Sequence, residues 1–327
     1  MIFKFSDLFA GIGGMRLGFE SVGGECVLTC ENNESALKTY NINFKENNSS
    51  HIFHKDILTL VDEIKSIPKH DILLAGFPCQ PYSIAGLRKG LNDTRGGDVF
   101  TAILNILNVS NPNAFLLENV KNMKSHDNGK TLQYMMNELE NCGYHITYKI
   151  LNSMEYANIP QNRERLFLVG YKKKSQLEYF KFPNKIKLTK TINDCIDQKI
   201  VSPEFYYNER YGMYPIIEEA MNSYDTMYQW RRVYPRENKN KVCPTLTANM
   251  GSGGHNVPLF KTRFPIKNGE NIRKLTPRET ANFQGFPRSY ILPSIANSKL
   301  YHQFGNSVTV PLIKRIAKEM IKVLDVE

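Results

Sequence analysis

The sequence predicts an α/β protein: a doubly wound, mostly parallel sheet with helices on both faces, joined to a smaller irregular domain. Three observations predict it. Short β-rich runs alternate with helical patterns from residue 3 to about 170. A Gly-rich turn follows the first of those runs. After Gly170 the alternation stops, and residues 171–262 gain Tyr, Asn and Pro while holding fifteen Lys/Arg against nine Asp/Glu, +6 of the chain's +10.

The candidate strands are residues 3–9 (FKFSDLF), 26–30 (CVLTC), 71–77 (DILLAGF), 114–119 (AFLLEN), 145–151 (HITYKIL) and 165–171 (RLFLVGY). Between the first two, Met15, Phe19 and Val22 recur at i, i+4 and i+7, a helix that Gly23 and Gly24 end. A further strand is expected to finish at Asp56, after HIFHKD. Late in the chain Ile313, Ile316, Ala317, Met320 and Leu324 hold one face of an amphipathic helix. Packed back on the sheet, that helix makes the first domain discontinuous. The expected boundaries are 1–185, completed by 290–327, for the first domain and 186–289 for the second.

With 327 residues, 41% of them apolar, the chain can fill a sizeable core. No apolar run reaches the roughly 18 residues of a membrane helix, and MIFKFSDLFAGIGG breaks into Asp and Gly too early for a signal peptide. A cytoplasmic protein with no membrane contact is expected. The six cysteines, at 26, 30, 79, 142, 195 and 243, form no C-x-x-C pair and have no matching His cluster, so no metal site or disulfide framework is expected. Forty-two Lys and Arg against thirty-two Asp and Glu favour a polyanionic partner.

DLFAGIGG closes the first strand and opens the first helix. Glycines 11, 13 and 14 let the backbone turn tightly and approach a ligand. Glu31, twenty residues after Gly11, stands where nucleotide-binding sheets place an acid on ribose hydroxyls. Asp56 either addresses an adenine amine or caps a helix before Ile57. Cys79, in GFPCQPYS, falls at the carboxyl end of a core strand, where open α/β sheets bind ligands, and a polar Gly-rich stretch over residues 80–100 follows it as an active-site lid would. AFLLENVKN brings Glu118 to the corresponding end of the next strand. A desolvated carboxyl there is a proton-donor candidate, and its alternative, a paired Arg, is available in Arg163 or Arg165 of PQNRERLFLVG.

At this point the chain resembles a known family. DLFAGIGG, GFPCQPYS, ENVKN, QNRER, RKLTPRETANFQGFP and QFGNSV occur in the order and spacing of the bacterial cytosine-5 DNA methyltransferases of restriction-modification systems. The resemblance spans nearly the whole chain except residues 180–265, and implies a Rossmann-like S-adenosylmethionine-dependent methyltransferase sheet with a mostly β target-recognition domain. It implies that Cys79 is the nucleophile toward carbon 6 of a flipped-out cytosine in double-stranded DNA, with Glu118, Arg163 and Arg165 as its catalytic partners. The family binds S-adenosylmethionine on the first turn, which implies cofactor contacts from Asp7, Phe9, Ala10, Gly11, Gly13, Gly14, Glu31, Asn32, Asp56, Ile57, Gly76, Pro78, Asn306, Ser307 and Val308. Gln80, Ser83, Arg88, Lys89 and Arg95 are the expected DNA contacts of the loop, with a solvated charged loop as the equally plain alternative for the last four. Arg231, Arg232, Thr247, Asn249, Gly251, Gly253 and His255 are those of the basic segment, whose glycines alternatively serve a scaffold turn.

The implied activity is sequence-specific methylation at cytosine carbon 5 that protects host DNA. The enzyme is expected to be a monomer of bacterial or phage origin, associated with the nucleoid. A separate cognate restriction endonuclease is expected to form no stable complex with it. Two alternatives stand beside this, a tRNA cytosine-5 methyltransferase and a catalytically silent sequence-specific DNA-binding protein. Without the resemblance, the residues alone leave a nucleotide-dependent oxidoreductase as runner-up.

Overall fold

The computed structural model describes residues 3–45, 51–78, 99–251 and 255–326, which fall into two compact units. Residues 1–151, 164–184 and 312–327 make the first; residues 152–163 and 185–311 make the second.

The first unit contains strands β1 (Phe3–Leu8), β2 (Gly24–Cys30), β3 (Ile52–His54), β4 (Ile72–Gly76), β5 (Ala114–Val120), β6 (His145–Asn152) and β7 (Glu164–Tyr171). They form one sheet in the order β3-β2-β1-β4-β5-β7-β6. The pairs among β1 to β5 are parallel, and β7 runs antiparallel to β5. Ile72, Leu73, Leu74 and Ala75 of β4 are wholly excluded from solvent, which is why this strand reads as an unbroken apolar run. Leu73 and Ala75 share a core with Phe100, Ile103 and Leu107 of helix Val99–Ser110. Each Leu, Ile or Phe side chain so placed contributes roughly 1.5–3 kcal/mol by leaving water. On the other face Phe5 of β1 meets Phe19 of helix Gly14–Glu20, ring centroids 5.7 Å apart. That helix approaches helix Val310–Ile321 so closely that a Cβ on Gly18 would lie 2.4 Å from Ile313 Cγ2. Ile313, Ile316, Ala317 and Met320 are buried as their spacing predicts, while Leu324 is half-buried beyond the helix end.

The second unit carries four short antiparallel strands, β8 (Tyr228–Trp230), β9 (Pro235–Glu237), β10 (Pro258–Lys261) and β11 (Ile272–Lys274), in the order β11-β10-β8-β9. Strands this short need other anchors. One is a buried ion pair: the Arg273 guanidinium donates to both Glu279 carboxylate oxygens at 2.8 and 2.6 Å, with neither side chain exposed. Glu279 also completes a capping box with Thr276 that starts helix Pro277–Phe283. RKLTPRE thus organises the unit internally, as its sequence suggests. The unit runs on to Pro311, past the expected boundary at 289, because helix Asn297–Asn306 closes its core. The Tyr301 hydroxyl donates to the Leu275 carbonyl, and a Cβ on Gly305 would strike the Thr247 backbone at 2.3 Å.

Candidate functional site

Where β1 ends, Phe9, Gly11 and Gly13 take φ of 57°, 58° and 76°. A left-handed phenylalanine is a costly conformation that persists only where its surroundings impose it. Ala10 N–H donates to the Cys30 carbonyl at 3.0 Å, tying the turn to the end of β2. The next residue there, Glu31, accepts from Gly11 N–H through Oε2 and from Asn33 N–H through Oε1, both at 2.7 Å. A carboxylate with two backbone donors keeps lone pairs for two hydroxyls. Among the described residues a Cβ on Gly11 would meet nothing nearer than 3.9 Å, which leaves room beside Glu31, a fit for a ribose and what it carries. Gly13 is needed for packing instead: a Cβ there would sit 2.2 Å from the Phe44 ring. Ala10, Gly13 and Gly14 are buried beneath the turn, and Asn32 is exposed beside it.

Two cofactor assignments change character. Asp56 Oδ1 accepts from Leu58 N–H at 3.0 Å and caps helix Ile57–Asp62, the alternative its sequence position left open, and Ile57 is buried behind it. Asp7 is a correction. Only 1% exposed, it lies inside the sheet below the turn, with Oδ2 lacking a hydrogen-bond partner among the described residues. Burial pushes its carboxyl up to about 7, against the pull of Arg16. Asp7 therefore supports the turn from beneath and is closed to a ligand.

The parallel β4–β5 register places Gly76 opposite Glu118. In the antiparallel β5–β7 register Glu118 faces Phe167 and Val120 faces Arg165, so Glu118 and Arg165 are diagonal neighbours on one face of the sheet. Arg165 Nε lies 3.1 Å from Glu118 Oε1, with both side chains largely buried. Burial pulls the Arg165 guanidinium below its ordinary range, and the Glu118 charge opposes that. Asn119, unassigned in the sequence reading although it lies in ENVKN, donates from Nδ2 to the Phe77 carbonyl at 3.1 Å. It thereby ties β5 to the segment that leads through exposed Pro78 toward Cys79.

Cys79, Gln80, Ser83, Arg88, Lys89, Arg95 and Gly253 lie outside the described residues. The five described cysteines are all buried. Burial pushes the thiols of Cys26, Cys30 and Cys195 up to about 12 and raises those of Cys142 and Cys243, so none of these is a ready nucleophile near neutral pH.

Arg163 is a second correction. It is 1% exposed in the second unit, where Nη1 donates to the Leu246 carbonyl at 2.7 Å and Nη2 to the carbonyls of Gly305 and Ser307 at 3.1 and 2.6 Å. This guanidinium is a backbone clamp, since nothing of it is open to a substrate. Ser307 meets Arg163 through its carbonyl, Asn306 is exposed at the end of helix Asn297–Asn306, and Val308 is buried after it.

The second unit gathers five of the expected DNA contacts. Thr247 Oγ1 donates to Asn249 Oδ1 at 2.7 Å, Asn249 Nδ2 lies 3.5 Å from His255 Nε2, and Arg232 Nη2 lies 3.4 Å from His255 Nδ1. Arg231 stands beside them on a cavity of about 660 Å³ whose wall includes Gln229, Arg236, Lys239, Thr245, Thr247 and Asn256. Gly251 is a third correction. A Cβ there would fall 2.4 Å from the Tyr301 ring, so its small size serves packing, the scaffold role the sequence left open. Gln229 and Asn256 were not assigned from the sequence, because what joins them is a shared contact with Arg231 that no local pattern encodes.

Among the described residues no helix is long and apolar enough to cross a membrane, and no His, Cys, Asp and Glu group could hold a metal ion. The profile of the C-5 cytosine-specific DNA methylases matches residues 3–322. The chain is 47% identical over 322 residues to the Type II methyltransferase M.Bsp6I of Bacillus sp. (strain RFL6), covering 98% of both. It is 37% identical over 333 residues to the Type II methyltransferase M.HpaII of Haemophilus parainfluenzae, covering 98% of this chain and 90% of that one. The crystal structure of S. pombe Dnmt2 methyltransferase shares the fold, with a TM-score of 0.72 over 99% of this chain and all of that one at 20% identity. With a Gly-rich turn held by Glu31, a paired Glu118 and Arg165 and a match across nearly its full length, the chain belongs to the C-5 cytosine-specific DNA methylase family, whose methyl donor is S-adenosylmethionine.

Proposed function

We propose that Cys79, Glu118 and Arg165 form the reacting centre of this DNA cytosine-5 methyltransferase, and that the second unit selects its target sequence. The observation that carries the reading is the Glu118–Arg165 pair, held on the sheet face where β4 leads toward Cys79.

The chemistry needs these groups because carbon 5 of cytosine is a poor nucleophile. The Cys79 thiolate adds to carbon 6, ring nitrogen 3 takes a proton from Glu118, and carbon 5 becomes enamine-like. S-adenosylmethionine, when bound, supplies an electrophilic methyl group to that carbon. Solvent then takes the carbon 5 proton as the bond to sulfur breaks and the thiolate returns, and ring nitrogen 3 gives its proton back to Glu118. Arg165 fixes the Glu118 carboxyl for its contact with nitrogen 3. Phe9, Ala10, Gly11, Gly13, Gly14, Glu31, Asn32, Gly76 and Pro78 are the cofactor cradle in this reading, with Glu31 on the ribose hydroxyls and Asp56 and Ile57 at the adenine side. Asn306, Ser307 and Val308 join that assignment on the resemblance alone. The stacked base must leave the duplex to reach Cys79, at a cost of a few kcal/mol. Gln80, Ser83, Arg88, Lys89 and Arg95 hold the opened DNA, with Arg231, Arg232, Thr247, Asn249, Gly253 and His255 on the second unit.

The enzyme acts as a monomer in the cytoplasm, at the nucleoid, and protects host DNA from a separate endonuclease with which it forms no stable complex. The decisive experiment incubates the protein with methyl-labelled S-adenosylmethionine and either mixed-sequence duplex DNA or total tRNA. Label in 5-methyldeoxycytidine at a fixed sequence supports the reading. Label confined to RNA, or sequence-specific DNA retention without label, overturns it.

A further inference from the structure

Gln229 is 5% exposed, on a strand of three residues, at the wall of the 660 Å³ cavity in the second unit. Cross-strand pairing sets Arg236 directly opposite it, and Arg231, two residues on, shares its face. Arg231 Nη1 donates to Gln229 Oε1 at 3.2 Å, and Arg236 Nη2 donates to the same oxygen at 3.1 Å. Arginine has no acceptor, so chemistry alone assigns the bonded atom as the amide oxygen. Both of its lone pairs are then engaged, and the Nε2 hydrogens have no partner among the described residues. Asn256 is treated the same way: its Oδ1 accepts from Arg231 Nη1 at 3.0 Å. Arg231 therefore takes up two amide oxygens and leaves two amide N–H₂ groups as donors. Glu237, the one carboxylate among the described lining residues, pairs with Tyr228 and so alternates away from the Gln229 face.

On this face Gln229, Arg231, Arg236 and Asn256 present donors, and such a group selects among bases. Glutamine reads adenine by accepting from N6 while donating to N7, and its acceptor here is occupied. Cytosine presents the N4 donor and needs an acceptor. Thymine offers one acceptor beside a methyl group. Guanine alone offers two acceptors, O6 and N7, on its major-groove edge. A backbone phosphate would also suit arginine, but phosphate contacts need no buried neutral amide oriented by two guanidinium groups.

We propose that Gln229, oriented by Arg231 and Arg236, reads a guanine in the recognition sequence through that guanine's O6 and N7. The proposal rests on the second unit facing DNA, and it adds Gln229 and Arg236 to the specificity-determining residues of the reaction.

The test uses the full chain. Bisulfite sequencing of methylated mixed-sequence duplex first defines the wild-type motif. Each guanine of that motif is then replaced singly by 7-deazaguanine, which lacks the N7 acceptor, and kcat/KM for methyl transfer is measured. At one guanine the wild type should lose about 10- to 100-fold. Gln229→Ala, and the size-matched Gln229→Met should the first fold poorly, should be slow on the natural duplex, indifferent to 7-deazaguanine at that position alone, and relaxed in motif there. Two results overturn the assignment: unchanged 7-deazaguanine sensitivity in both variants, or a loss equal on all duplexes with a shallower salt dependence, the mark of a phosphate contact. His255→Ala separates this failure from that of the wider reading. A motif altered by His255→Ala but untouched by Gln229→Ala refutes only the guanine assignment, whereas a motif untouched by both refutes it together with a DNA-facing second unit.

Discussion

Arg165 Nε and Glu118 Oε1 stand 3.1 Å apart on the diagonal of the antiparallel β5–β7 pair, so the one reversed neighbour of β5 supplies the partner for its terminal carboxyl. This geometry assigns unequal roles. Glu118→Gln should lower kcat by at least about 100-fold with cofactor and DNA affinity retained, since a general acid is worth that much. Arg165→Ala should also slow the reaction, and more than Arg165→Lys. Single-turnover rates beside equilibrium binding check both, and an unchanged rate for Glu118→Gln would remove it from the acid role.

Cys79→Ala should abolish turnover while the cofactor and duplex DNA still bind. The five described cysteines are buried with raised thiols, so none can substitute. Trapping on DNA that carries 5-fluorocytosine at the target gives a direct readout: wild type should form a covalent complex stable in denaturant, and the variant none.

Asp7 makes stability fall as pH rises. Its carboxyl holds a proton up to about pH 7 in the folded chain and only to about 3.8 as an ordinary carboxyl, so between these values the folded state binds more protons. This contribution is fully present below about pH 4, declines through the window and is gone above about pH 7. The span is at most roughly 4 kcal/mol, from 1.36 kcal/mol per unit. Asp7→Asn should flatten the pH dependence of urea midpoints over that range, and an unaltered slope would refute the assignment.

Arg163→Ala should destabilise the second unit by roughly 3–5 kcal/mol, because three carbonyls, those of Leu246 and Gly305 buried, lose a charged donor at once. Arg163→Lys, with one compact ammonium for three acceptors, should recover only part of it. A thermal shift confined to one unfolding transition would show the loss. A melting temperature within a degree of wild type would count against the clamp.

Legibility in the sequence followed the range of the forces involved. The core strands could be read because burial on both faces leaves unbroken apolar runs, and Ile72–Ala75 and Ala114–Leu117 are such runs. The placement of Glu118 and Glu31 near strand ends was legible because sheet topology fixes what stands at a strand's carboxyl end. Arg163 and Arg165, two residues apart in the same QNRER, were not separable: one clamps backbone in the second unit, the other meets Glu118 in the first, and only tertiary pairing decides. Asp7 was misread because adjacency to a Gly-rich turn says nothing about which side of the sheet a carboxyl faces. Gln229 was silent because an amide's donor direction is set by neighbours across a hairpin, which no local pattern encodes.

The first unit is not complete until residues 312–327 have joined it, and they follow the whole of residues 185–311 in the chain. Until then helix Gly14–Glu20 lacks the surface to which Gly18 is fitted, and the Tyr171 hydroxyl lacks the Met320 carbonyl it bonds at 3.2 Å. A ribosome making this protein therefore finishes the second unit before the first can close. A chain interrupted before residue 312 leaves one face of helix Gly14–Glu20 without its cover, so the N-terminal half of the sheet waits for the last residues to be made.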